Sequence, residues 1–146
     1  MSPTKATVLI VDDNQELLDT YTELLPVLGY QVLTAADGYQ GLAVFEQSNP
    51  RPDCLIIDVR MPEVDGYQLV RIFRGDSSTA QTPLIILTAM ARDDDQFRGR
   101  ASGADFYLTK PVSPEVLIAT IEQALQIDAV QRKAQMQELY DALPPE

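Results

Sequence analysis

Four short apolar segments of this chain each end at a polar residue suited to binding a metal ion or a phosphoryl group. The segments are residues 8–11, 55–57, 84–87 and 106–108. The residues that follow them are Asp12 and Asp13, Asp58, Thr88, and Thr109 and Lys110. Short apolar runs between helical patterns are typical of buried parallel strands. Because ligands of an open α/β sheet bind beyond the carboxyl ends of its strands, we expect these polar residues to meet at one edge.

The segments between these runs carry apolar residues at helical spacing, so predicted strands and helices alternate along the chain. A further strand is predicted over 31–35, and the last strand over 105–108. The predicted helices lie between Asn14 and Gly29, from Asp37 onwards, over 65–74, over 91–102, and from Ser113 towards or beyond Glu138. This alternation predicts an α/β fold in which helices cover both faces of a parallel sheet.

Composition excludes several classes of function. The chain has 146 residues, a formal net charge of −11 and no histidine. The charge argues against direct binding to nucleic acid or to an anionic membrane. The absence of histidine excludes Ser-His-Asp triads, histidine acid–base catalysis and histidine metal sites. Cys54 is the single cysteine and lies in a predicted strand, so no internal disulfide is possible. With no run approaching the ~20 apolar residues of a membrane span, we expect a cytoplasmic protein.

The chemistry of the predicted cluster favours Mg²⁺ and phosphoryl transfer. Mg²⁺ prefers oxygen ligands, which Asp12, Asp13 and Asp58 would provide. An aspartate can also attack phosphorus and form an aspartyl phosphate, and Lys110 and Thr88 would then neutralise the phosphoryl oxygens. Each residue alone has an ordinary structural explanation, such as helix capping or a turn. Their common position at the ends of successive strands favours a shared site.

The residues that surround this cluster resemble the receiver domain of two-component response regulators. The matching segments are residues 8–13, 55–66 (LIIDVRMPEVDG), 87–89 and 103–111 (GADFYLTKP). The resemblance covers about residues 5–127. It leaves residues 128–146 as a C-terminal helical extension or linker, whose apolar residues recur at helical spacing.

The resemblance implies a flavodoxin-like receiver fold, a doubly wound five-stranded parallel sheet with strand order 2-1-3-4-5 and five helices. It implies Mg²⁺ as cofactor and Asp58 as phosphoacceptor. The implied metal ligands are Asp12, Asp13, Asp58 and the backbone carbonyl of Arg60. Lys110 would be the lysine typical of the family's site, Thr88 the switch hydroxyl and Tyr107 the aromatic switch residue. The Lys110–Pro111 peptide bond is expected to be cis.

The resemblance also implies a function, that of a phosphorylation-controlled binding module rather than an enzyme. The phosphoryl donor would be a sensor histidine kinase or a phosphotransfer protein. The output surface would comprise the fourth helix, the fifth strand and the fifth helix, including Phe106, Ile118 and residues 98–100. A homodimer through this surface is a possible readout, with no direct contact to nucleic acid or membrane. Arg60 and Met90 occupy positions that tune dephosphorylation, and neither can position an attacking water, which favours a long-lived phosphoryl form.

Two other classes of protein share parts of this pattern. A haloacid-dehalogenase-like phosphatase also uses an aspartate at a strand end, but it needs a second aspartate two residues later, where this chain has Arg60. A flavodoxin-like FMN-binding protein would need a Ser/Thr-rich phosphate loop after the first strand. Here that position holds Asp12, Asp13 and Asn14, which would repel a phosphate.

Overall fold

A five-stranded parallel sheet forms the centre of the protein, in the order β2-β1-β3-β4-β5. The computed structural model describes residues 5–61, 63–89 and 103–127, together with 131, 134, 137, 138 and 141. The strands are β1 (Ala6–Val11), β2 (Tyr30–Ala35), β3 (Cys54–Ile57), β4 (Leu84–Thr88) and β5 (Phe106–Thr109). The helices are α1 (Gln15–Val27), α2 (Gly38–Gln47), α3 (Gly66–Gly75) and α4 (Pro114–Leu125). The predicted strand order is confirmed.

One predicted helix, over 91–102, lies outside the described residues, so the fifth predicted helix is α4 in this numbering. The prediction that this last helix continues through Glu138 is wrong, because α4 ends at Leu125. The amides of Gln126 and Ile127 bond to carbonyls only three residues earlier, which tightens the last turn and ends the helix. Among the later residues that the structure describes, Gln131 and Glu138 have helical backbone again.

Both faces of the sheet are buried, as a doubly wound fold requires. Every residue of β1 is buried, and its side chains alternate between two apolar clusters. Val8 and Ile10 pack with side chains of α1 and α4, including Leu25 and Leu117. Leu9 and Val11 pack on the opposite face with α2 and α3, where the rings of Phe45 and Phe73 meet edge to face at 5.0 Å. This burial explains why the strands are continuous apolar runs rather than alternating patterns.

The helices α1, α2 and α3 each follow the carboxyl end of a strand and are capped by a side chain. The Oδ1 atom of Asn14 accepts the amide of Leu17 at 3.2 Å, which confirms the predicted cap of α1. Asp37 caps α2 in the same way, and Asp65 forms a reciprocal capping box with Gln68 at the start of α3. The amino termini of these helices therefore lie along the sheet edge at which the strand-terminal aspartates were expected.

Cys54 is fully buried and unbonded to another cysteine, and burial raises the pKa of its thiol. This environment is that of an inert core residue.

In the described part of the chain, every helix is too short or too polar to cross a bilayer.

Gly66 allows α3 to begin directly against the backbone of the residues that follow β3. Its amide donates to the Val59 carbonyl at 3.0 Å. A Cβ atom at this position would lie 2.3 Å from the carbonyl oxygen of Asp58 and 2.8 Å from the Cα of Val59. Neither backbone atom can move without displacing the end of β3. By contrast, Gly75 at the other end of α3 has nothing within 4 Å of such a Cβ.

We expect Gly66→Ala to destabilise the protein by roughly 1–3 kcal/mol, because the added methyl group overpacks a site closed by backbone. Gly75→Ala is the matched control and should be neutral or stabilising by up to about 1 kcal/mol, since alanine restricts the unfolded chain. Urea unfolding of both variants measures the difference. Equal stability of the two variants would contradict the close packing at Gly66.

Candidate functional site

Three aspartates converge where β1 and β3 end side by side. Val11 and Ile57 are paired in the sheet, and the amide of Asp58 donates to the Val11 carbonyl at 2.9 Å. One carboxylate oxygen from each of Asp12, Asp13 and Asp58 lies within 4.8 Å of the others. Asp12 and Asp58 are buried, whereas Asp13 is exposed. The predicted cluster is therefore formed, and it opens to solvent on the side of Asp13.

Lys110 directly follows β5, the outermost strand on this side of the sheet, and brings a positive charge to the aspartates. Its Nζ atom lies 2.8 Å from Oδ2 of Asp12 and 3.6 Å from Oδ1 of Asp58. Its backbone amide donates to the Thr88 carbonyl at 2.7 Å, which extends the pairing of β5 with β4 by one residue. The Lys110–Pro111 bond is cis, as expected.

Asp12 is fixed by hydrogen bonds on both carboxylate oxygens. Its Oδ1 accepts the amide of Asn14 at 2.9 Å, and its Oδ2 accepts the Lys110 ammonium. The capping explanation for an aspartate at this position therefore holds only in part: Asn14 caps α1, while Asp12 bonds the residue before the helix and faces the cluster. This arrangement leaves Asp58 as the buried carboxylate held more loosely by the lysine.

The surroundings of Asp58 oppose its ionisation. Burial, and after it the charge of Asp12, raise the pKa of Asp58 from 3.8 to about 6. The Lys110 ammonium and the backbone amide of Arg60 act in the opposite direction, and Asp13 adds to the rise. Asp58 is thus an anion near neutral pH that any additional cation would stabilise strongly.

Thr88 and Tyr107 lie on β4 and β5, the two strands beyond β3 on the side from which Lys110 reaches the aspartates. Thr88 ends β4, is fully buried and pairs with Thr109. Tyr107 in β5 is partly buried and packs against the apolar cluster on the face of the sheet covered by α2 and α3. The side chain of Arg60 is exposed, and its backbone amide bonds Asp58. Met90 and residues 98–100 lie outside the described residues, and the roles given to all of these positions remain predictions.

The donor atoms of the cluster fit Mg²⁺ in kind. All three are carboxylate oxygens, and a small hard cation prefers oxygen ligands together with water. In an octahedron with bonds of about 2.1 Å, opposite ligands lie ~4.2 Å apart, so the 4.8 Å limit on the oxygen separations is close to what direct binding needs. The open side at Asp13 gives room for water ligands and for a phosphoryl group.

Residues 8–122 match the family model described as the response regulator receiver domain. The chain belongs to this family. Receiver domains accept a phosphoryl group, generally bind Mg²⁺ at an acidic pocket and interact with histidine kinases or phosphotransfer proteins. They are signalling proteins rather than conventional enzymes. The match is thus to the receiver family rather than to the haloacid-dehalogenase-like or flavodoxin-like families.

Several relatives show how this domain is used in other proteins. Protein PilH of Pseudomonas aeruginosa is 38% identical over 120 residues, which cover 82% of this chain and 98% of PilH. The DNA-binding dual master transcriptional regulator RpaA of Synechocystis is 35% identical over 94% of this chain, but the match covers only 56% of RpaA. This chain spans about half the length of RpaA and of the transcriptional regulator ycf27 of Guillardia theta. The expectation of no direct nucleic-acid contact stays a prediction.

Solved structures agree with the fold. The chemotaxis protein CheY4 of Vibrio cholerae matches with a TM-score of 0.75 and 36% sequence identity, over 82% of this chain and 98% of CheY4. A putative response regulator from Chloroflexus aurantiacus matches with a TM-score of 0.77 and 33% identity over 86% of this chain. The receiver fold expected from the sequence is confirmed.

Two residues with close structural contacts, Gly66 and Arg74, were not singled out from the sequence. Gly66 carried a detectable signal, since a glycine directly after a capping aspartate indicates a close approach of backbone. Arg74 carried none, because its hydrogen-bond partners are 6 to 31 residues away in sequence.

The raised pKa of Asp58 gives a pH-dependent stability. Because the pKa is about 6 in the folded protein and near 3.8 in the unfolded chain, the folded state binds more protons between these values. Stability should therefore fall as the pH rises through 6. In the presence of a chelator, Asp58→Asn should raise the free energy of unfolding by roughly 1–3 kcal/mol at pH 7.5, and by much less at pH 4.

Urea unfolding at the two pH values measures this effect. Asp19→Asn, at an exposed position on α1, is the control for loss of one negative charge from an acidic chain. The same pH-independent gain in both variants would show that overall charge, rather than the surroundings of Asp58, is responsible.

Proposed function

We propose that this chain is a switch that takes up a phosphoryl group on Asp58, with Mg²⁺, from a phosphohistidine partner, and so controls a partner or an output domain. The observation that carries the proposal is the position of Asp58. One oxygen of its buried carboxylate lies within 4.8 Å of oxygens of Asp12 and Asp13, and the ammonium of Lys110 is 3.6 Å away. These are the groups that an aspartyl phosphate needs around it.

Each residue has a distinct part in the reaction. A carboxylate oxygen of Asp58 attacks phosphorus, a P–O bond forms, and the N–P bond of the donor breaks with its electron pair going to the imidazole nitrogen. Lys110 exchanges part of its pairing with Asp12 for contact with a phosphoryl oxygen. Asp12, Asp13, Asp58 and the Arg60 carbonyl would hold Mg²⁺, which when bound supplies charge neutralisation for the phosphoryl oxygens. Because these 146 residues include no histidine, the phosphoryl donor lies outside this chain: a phosphohistidine of a sensor kinase or phosphotransfer protein, or a small molecule.

Incubation with acetyl phosphate and Mg²⁺ should add one phosphoryl group to the chain, detected by intact mass and removed by hydroxylamine. Asp58→Asn should abolish the adduct, and Asp13→Ala or omission of Mg²⁺ should slow its formation by at least about tenfold, because the phosphoryl charge is then poorly neutralised. Asp19→Asn serves as the control. An undiminished adduct on Asp58→Asn would refute Asp58 as the phosphoacceptor.

The switch is proposed to pass through Thr88 and Tyr107. A phosphoryl group on Asp58 is a new acceptor at the carboxyl edge of the sheet, where Thr88 ends β4. Drawing the Thr88 hydroxyl towards it would open space for the Tyr107 ring, which now lies only partly buried in β5. The two arrangements form the bistable element of a switch. The face made by β5 and α4, with Phe106 and Ile118, would then change.

We further propose that residues 5–127 form the receiver unit and that 128–146 form an extension or linker to an output. The end of α4 at Leu125 and the near-complete match to PilH support a separate unit. The longer relative RpaA supports a linker. Self-association through the switching face is the favoured readout, since symmetric dimers are the commonest oligomers.

Light scattering with and without beryllofluoride, a phosphoryl mimic, should show an increase from monomer to dimer mass in the activated protein. A chain that ends at Ile127 should dimerise equally well if the receiver face alone is responsible. Amide exchange should change across β4 and β5 in both chains. Unchanged mass would remove dimerisation, and unchanged exchange as well would remove the switch through Thr88 and Tyr107.

A further inference from the structure

Arg74 lies in the last turn of α3, near the amino ends of β4 and β5 and thus at the opposite end of the strands from the aspartates. Among the described residues, its side chain donates to four acceptors. Its Nε donates to the Gly103 carbonyl at 2.8 Å, and one terminal nitrogen donates to the carbonyls of Ala80 and Thr82 at 3.0 and 2.5 Å. The other terminal nitrogen pairs with Oδ2 of Asp105 at 3.0 Å. The Arg74 side chain is 14% exposed and that of Asp105 only 1%. A planar guanidinium is the one side chain with enough fixed donors for this arrangement.

Asp105 links this arginine to the beginnings of two strands. Its Oδ2 also accepts the amide of Leu84, the first residue of β4, at 2.9 Å. Its own amide donates to the Leu84 carbonyl at 2.8 Å. Asp105 immediately precedes β5, so a single carboxylate, held by Arg74, sets where β5 begins relative to β4.

The position of β5 determines where Lys110 lies at the site. It is an edge strand, paired within the described residues only with β4, and it is four residues long, about 13 Å. An extended strand has little freedom to change length, so a shift at Asp105 is carried to Thr109 and Lys110. Lys110 is the residue whose ammonium contacts both Asp12 and Asp58. Displacement of a charged group by about 1 Å can slow a reaction by up to about a hundredfold.

We propose that Arg74 is a positioning residue for phosphoryl transfer, acting through Asp105 and β5 on the ammonium of Lys110. The inference rests on the proposed function of Asp58 and adds a residue at the opposite edge of the sheet to it. Metal binding is separate from this chain of contacts, because Asp12, Asp13 and Asp58 follow β1 and β3. Arg74 therefore affects the rate of phosphorylation without weakening the binding of Mg²⁺, whose carboxylate ligands stay in place.

The test compares Arg74→Gln with Arg71→Gln, the same substitution at an exposed position of the same helix. In protein shown to be folded by circular dichroism, Arg74→Gln should slow phosphorylation by acetyl phosphate at saturating Mg²⁺ by about ten- to a hundredfold. The dissociation constant for Mg²⁺, measured by calorimetry, should not rise. Arg71→Gln should leave both quantities unchanged. Should Arg74→Gln not fold, Arg74→Lys keeps the charge but loses the fork of donors, and it should show the same selective loss of rate.

A double-mutant cycle separates positioning from general destabilisation. On a Lys110→Ala background, Arg74→Gln should cause no further loss of rate, because the group that it positions is gone. An equal loss on both backgrounds would overturn the proposal, as would an unchanged rate in folded Arg74→Gln protein.

Amide exchange without any phosphoryl donor tests the same contacts independently of the reaction. Arg74→Gln should speed exchange of the Lys110 amide, which bonds the Thr88 carbonyl, and Arg71→Gln should not. If the wild-type chain takes up no phosphoryl group, the proposed function fails, and the exchange result still decides whether Arg74 positions β5. Unchanged exchange at Lys110 would overturn the inference in either case.

Discussion

The repulsion among three carboxylates placed at one sheet edge is the interaction on which the rest of this structure depends. Asp12 and Asp58 are both buried at the ends of neighbouring strands, a position that water cannot screen well. The fold tolerates this because backbone amides and the Lys110 ammonium bind the carboxylates. Burial, and after it the remaining repulsion from Asp12, raises the pKa of Asp58, and this repulsion gives the site its demand for a cation.

The framework around the site keeps these groups close together. The pairing of β1 with β3 fixes the spacing of Asp12 and Asp58, since both follow residues that are paired in the sheet. The start of α3 then packs against the Asp58 carbonyl, which only a glycine at position 66 permits. Carboxylates that repel one another need a rigid backbone to hold them together. A looser backbone would let them separate and lose their joint affinity for a metal.

Lys110 depends on a different part of the molecule. It reaches the aspartates from an edge strand that is fixed at one end by Arg74 and Asp105 and at the other by the bond between its amide and the Thr88 carbonyl. The proposed metal ligands and the lysine are thus held by separate strands. This separation would allow the proposed switch, in which β4 and β5 respond to phosphorylation while β1 and β3 hold the metal ligands in place.

The sequence by itself determined the fold class and placed Asp12, Asp13, Asp58, Thr88 and Lys110 at the carboxyl ends of strands. Continuous apolar runs between helical patterns are typical of a buried parallel sheet, and the carboxyl ends of parallel strands share one side. The cap at Asn14 and the helix starts at Asp37 and Asp65 were also local enough to be read from neighbouring residues. The family resemblance, rather than the residue pattern, provided the strand order and the cis bond before Pro111.

Only the tertiary structure decided which carboxylate is paired and which is strained. Asp12 and Asp58 are both strand-terminal aspartates in the sequence, yet one lies 2.8 Å and the other 3.6 Å from Lys110. The end of α4 at Leu125 and the four bonds of Arg74 were likewise invisible, because periodicity continues past the break and the partners of Arg74 are far apart in the chain. Burial and long-range hydrogen bonds depend on which elements meet, and a linear pattern carries only the spacing of residues within one element.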